Sequence, residues 1–82
     1  MEKYYITFRS VTYAQKGERI LAAKGISCRL VRTPRWMEAK GCGYALITRE
    51  LHGAIEALGE KNAAWEKVYR LNGREQPEEV AL

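Results

Sequence analysis

The chain predicts an α+β fold, a ferredoxin-like βαββαβ sandwich with four antiparallel strands and two helices on one face. Three observations point there. Short alternating apolar stretches flank two segments of helical periodicity, the order along the chain is strand, helix, strand, strand, helix, strand, and 82 residues leave room for one core. Residues 1–72 are expected to form the domain and residues 73–82 a polar C-terminal tail.

YYITF opens the pattern, with Tyr4, Ile6 and Phe8 on one side and Tyr5 and Thr7 on the other, as in a half-buried strand. Ser10 offers a helix N-cap, and Val11, Ala14, Gly17, Ile20 and Leu21 follow helical spacing up to Gly25, which suits a C-terminal stop. Gly17 costs about 1 kcal/mol of helix propensity relative to alanine, which close packing of the helix on the sheet would justify. ISCRLV reads as the second strand, ended by Thr33-Pro34 because proline cannot donate to a ladder. RWMEAKGCG is loop and GYALIT the third strand. Residues 50–61 form the second helix with Leu51, Ala54, Ile55 and Leu58 on one face, WEKVYRL the fourth strand, and NGREQPEEVAL a loose tail.

Composition narrows the function classes. Fourteen Lys and Arg against ten acids, all Glu, give a net charge of +4, which allows anionic partners without the strong excess of a dedicated nucleic-acid binder. No apolar run is long enough to span a membrane, and the opening residues do not read as a secretory signal, so a cytoplasmic protein is expected. Cys28 and Cys42 are too few for a disulfide framework and lack metal-ligand spacing, so neither a metal nor any other cofactor is expected. His52 is the only histidine and lies out of phase with the apolar face of its helix. The chain is expected not to catalyse turnover by itself.

KGCGYALI, residues 40–47, supports two readings. The first is an RNA-recognition-like strand, matching the stacking signature at Lys40, Gly41, Gly43 and Tyr44 but placing Cys42 where the first stacking ring belongs. A lost ring forfeits about 1–3 kcal/mol of stacking per base, so nucleic acid is disfavoured. This reading puts Tyr44 on the uncovered sheet face beside Tyr5, with Tyr69 and Trp65 joining from the fourth strand. That face also suits a small structural or regulatory domain that self-associates as a homodimer.

The second reading is a reactive thiol. Cys28 is in phase with Ile26 and Leu30 and is expected to pack as a small hydrophobe, whereas Cys42 stands between glycines that do not shield its sulfur. A free thiol with a pKa of about 8.5 is only slightly ionised at neutral pH. Arg32, Arg35 and Lys40 near Cys42 favour the thiolate, and the backbone N–H groups around Gly41 and Gly43 can nest an anionic sulfur. Trp36 and Met37 either cover the sulfur, offer a docking surface to a donor, or cap the sheet edge.

Thr33-Pro34-Arg35, a short spacer, then Cys42-Gly43 entering a strand, in a chain opening YYITFRS with a helix ending AAKGI, resembles the Se/S carrier protein-like family over roughly residues 4–71. Members usually carry TPR-x-x-S-S-x-C-G; here the spacer WMEAKG is one residue longer and has no serine. The resemblance implies a carrier that accepts sulfur or selenium on Cys42 as a persulfide or selenosulfide. It also implies a cysteine desulfurase-like donor and a TusA-like or selenophosphate-pathway acceptor.

Overall fold

The computed structural model describes residues 3–33, 43–71 and 77–81. The elements are β1 (Tyr4–Phe8), α1 (Val11–Ala23), β2 (Cys28–Arg32), β3 (Tyr44–Thr48), α2 (Leu51–Glu60), β4 (Val68–Leu71) and β5 (Pro77–Glu79). All strand pairs are antiparallel, and the sheet order is β2-β3-β1-β4-β5. The sheet therefore has five strands where the sequence predicts four. The fifth comes from the segment read as a loose tail, where Glu79 pairs with Tyr69, Glu78 with Arg70 and Pro77 with Leu71. Arg70 Nε meets Glu78 Oε1 at 3.1 Å, and Lys67 Nζ meets Glu79 Oε1 at 3.6 Å. Cross-strand charge pairs of this kind hold a polar strand that hydrophobic alternation does not reveal.

Local chemistry opens α1 and closes both helices. The Ser10 hydroxyl accepts from the Tyr13 N–H at 3.4 Å and opens α1. Gly25 closes it with φ +74°, sending the Ile26 N–H back to the Leu21 carbonyl at 2.9 Å. Asn62 does the same after α2 with φ +53°, and the Ala63 N–H reaches the Leu58 carbonyl at 2.9 Å. The Lys24 ammonium bonds the Glu60 carboxylate at 2.9 Å, joining the ends of the two helices. That hydrogen bond raises the Lys24 pKa and lowers that of Glu60; the pair is exposed and adds little to stability.

One face of the sheet carries the core. Ile6 and Phe8 of β1, Leu46 of β3 and Val68 of β4 are buried with Ala14 and Leu21 of α1 and Ala54, Ala57 and Leu58 of α2. Burying each of the larger side chains is worth about 1.5–3 kcal/mol. Gly17 lies where α1 crosses this face. A Cβ there would stand 3.0 Å from Phe8 Cζ and 3.2 Å from Leu46 Cδ1, so the close approach inferred from sequence is present.

The structure corrects the placement of two aromatics, Tyr44 and Trp65. Tyr44 pairs with Phe8 of β1 and with Arg32 of β2, and directly opposed residues share a face. Tyr44 is thus on the helix-side face and packs against the core instead of standing beside Tyr5. GYALIT is apolar at both phases, which hides the choice. Trp65 precedes β4, which starts at Val68, and packs against the core as well. Only Tyr69 joins Tyr5 across the second face. On that face Thr7 and Ala45 are buried outright, and the Thr7 hydroxyl donates to the Lys67 carbonyl at 3.2 Å and accepts its N–H at 3.0 Å. The stacking pair required by the RNA-recognition reading, one ring each from β1 and β3 on the open face, does not form among the described residues.

Candidate functional site

β2 and β3 pair over five rungs, from Cys28 opposite Thr48 to Arg32 opposite Tyr44. The ladder continues one step further, where the Thr33 N–H donates to the Gly43 carbonyl at 3.0 Å. This bond closes the base of the connection that carries the thiol motif. Of the predicted site residues, Thr33 and Gly43 are described. Pro34, Arg35, Trp36, Met37, Lys40, Gly41 and Cys42 lie outside the described residues.

The two residues at the base differ in character. Gly43 is half-buried without positive φ, and a Cβ on it would meet nothing within 4 Å. Neither backbone conformation nor packing among the described residues demands glycine there. Thr33 is 5% exposed, and its Oγ1 is buried with no hydrogen-bond partner among the described residues. The contrast with the two other buried threonines is informative. Thr7 has both bonds to Lys67, and the Thr48 hydroxyl donates to the Ser27 carbonyl and accepts from the Glu50 N–H, each at 3.1 Å. A buried hydroxyl left unpaired costs about 1–3 kcal/mol, and the described part of the fold supplies Thr33 with nothing to offset it.

Arg32 adds the nearest described cation. Its guanidinium carbon lies 5.9 Å from the centroid of the Tyr44 ring, directly across the last full rung before the base. Such a contact is worth about 0.5–1 kcal/mol at an exposed position, and it holds positive charge at this end of the hairpin.

Taken with this geometry, a family model described as "Putative Se/S carrier protein-like" matches residues 3–70. The chain belongs to that family. Searches among curated proteins and among solved structures return no match. In this Se/S carrier-like chain the match spans both helices and β1 to β4 and includes the whole TPR-to-CG segment.

The second thiol is differently placed. Cys28 starts β2, at the far end from Thr33, and packs half-buried against the core. Burial, and secondarily the negative charge of Glu18, push its pKa up, which makes it a weak nucleophile as the sequence implies. His52 is exposed on α2. Among the described residues no group of three His, Cys, Asp or Glu side chains is placed to hold a metal ion, and no helix is long and apolar enough to cross a membrane. The unpartnered Thr33 hydroxyl is the feature that sequence reasoning missed. Thr33-Pro34 was legible as a strand end, but whether a hydroxyl finds a partner depends on non-local packing.

Proposed function

We propose that this protein is a cytoplasmic carrier that holds sulfur or selenium on Cys42 and passes it to a partner, without catalysing turnover by itself. Membership of the Se/S carrier-like family supports the cargo class. The observation that carries the reading to this loop is the closed base, where the Thr33 N–H bonds the Gly43 carbonyl and the buried Thr33 hydroxyl has no partner among the described residues. We read the inner strands β2-β3-β1-β4 as a ferredoxin-like frame with β5 added at its edge.

In the transfer step the Cys42 thiolate attacks the outer sulfur of a donor persulfide. The Cys42 S–S bond forms as the donor's S–S bond breaks, the donor sulfur leaves as a thiolate, and no net oxidant is consumed. Arg35 and Lys40 stabilise the anion before and after transfer through charge-assisted contacts, and the N–H groups around Gly41 and Gly43 assist. Trp36 and Met37 cover the loaded sulfur or meet the donor. A cysteine desulfurase-like protein would supply the sulfur, and a TusA-like or selenophosphate-pathway protein would receive it.

Incubation with a pyridoxal-phosphate cysteine desulfurase and cysteine tests this by intact mass. The native protein and Cys28→Ser are expected to gain one sulfur atom, and Cys42→Ser none. Equal loading of Cys42→Ser overturns the assignment.

Thr33→Val separates the hydroxyl's two effects. Valine keeps the volume and removes the orphaned group, so the denaturation midpoint should rise, with a gain of about 1 kcal/mol. Sulfur retained on Cys42 should fall in the same variant, while Thr33→Ser keeps it. A more stable variant with unchanged loading would leave the hydroxyl without a role in holding cargo.

A further inference from the structure

The opposite end of β2 from the thiol loop carries a second feature. The start of β2, the end of β3 and the beginning of α2 border an open cleft of about 590 Å³. Lys3, Arg29 and Arg49 line it, against the single carboxylate of Glu50, and all four side chains are exposed. The ion pairs found among the described residues are Arg9–Glu66, Lys24–Glu60, Lys67–Glu79 and Arg70–Glu78. None involves the three cleft cations. Three cations against one carboxylate give the cleft an excess of positive charge, which attracts an anion.

The helix behind the cleft adds to the same polarity. Glu50 is the N-cap of α2 but makes no side-chain capping bond, so the first-turn N–H groups of Leu51, His52 and Gly53 keep their partial positive charge. Thr48, which borders the cleft, has its hydroxyl fully used by Ser27 and Glu50 and fixes the two strand ends together. Ile47 supplies a half-buried apolar surface. The volume lies within the range of about 300–1,000 Å³ typical of small-molecule sites, and a bare inorganic ion would leave most of it empty.

We infer that this cleft binds a small organic anion, its phosphate or carboxylate held by Arg29 and Arg49 with Lys3 beside them, and its apolar part against Ile47. Arginine forks match both anion geometries in a bidentate manner. Glu50 opposes the ligand's charge and sets an upper limit on affinity. The site is independent of Cys42, since it occupies the other end of the β2–β3 ladder.

Amide NMR titration of the full chain at low salt tests it, with adenosine monophosphate as the phosphate probe and citrate as the carboxylate probe. Saturable shifts are expected at residues 27–29 and 48–53 with at least one probe, and which one saturates identifies the anion class. The exposed double variant Arg29→Gln/Arg49→Gln should weaken that binding at least about tenfold, the loss of roughly 1.4 kcal/mol. Glu50→Gln should tighten it about threefold. The inference fails if neither probe saturates by about 10 mM. It also fails if the double variant binds as well as the native protein, or if the shifts centre instead on the Lys16 and Arg19 surface of α1.

Discussion

Replacing Gly17 with valine is expected to destabilise the fold by about 2–3 kcal/mol, read as a lowered denaturation midpoint. The Cβ alone would crowd Phe8 at 3.0 and 3.2 Å and Leu46 at 3.2 Å, and valine adds two methyl groups beyond it. Phe8 and Leu46 are both fully buried, so neither side chain can swing into solvent to make room. The gain in helix propensity over glycine is only a few tenths of a kcal/mol, and overpacking wins. Gly59 provides the opposite sign in the other helix. A Cβ there meets nothing within 4 Å, so Gly59→Ala should stabilise by about 0.5 kcal/mol. A Gly17→Val protein with an unchanged midpoint would mean that α1 does not press on the sheet as described.

The second large effect concerns the thiols. At neutral pH, iodoacetamide is expected to modify Cys42 in a Cys28→Ser background at least about tenfold faster than Cys28 in a Cys42→Ser background, a difference of one pKa unit or its equivalent in access. Burial raises the Cys28 pKa and Glu18 raises it further, so its thiolate forms at higher pH than that of a free cysteine and its rate should still be climbing where a free thiol has levelled. The same shift has a stability sign. The folded state retains the Cys28 proton longer than the unfolded chain does. Its contribution is therefore complete below the unfolded value of about 8.5 and is lost as pH rises through the higher folded value. Equal rates for the two thiols would remove the chemical basis for assigning cargo to Cys42.

Much of the architecture was legible because it rests on local pattern. The alternation of YYITF, the helical spacing from Val11 to Leu21 and the stop at Gly25 depend on residues close in sequence, and Gly17 announced a close packing that Phe8 and Leu46 then supply. The features that escaped depend on pairings between strands, which the pattern within one segment does not reveal. β5 is polar and contains proline, and it is a strand because β4 offers it Arg70 and a free edge. Tyr44 turns toward the helices because its register with Phe8 is set by the whole β1–β3 ladder. At the site, Cys42 and its glycines stood out by residue type, whereas the Thr33 hydroxyl is notable only for a bond that is not made.

The hydrogen bond between Thr33 and Gly43 also bears on how this chain tolerates change. A connection whose two ends are pinned to each other passes little of its own variation into the sheet. Lengthening a closed loop by one residue changes its closure entropy by only about 0.1–0.2 kcal/mol. A change of one residue in the length of the spacer WMEAKG is thus a small perturbation for the scaffold. Residues between Thr33 and Gly43 can change in number and type while the strands that flank them keep their register, which makes this hairpin end an interchangeable cartridge on a fixed mount.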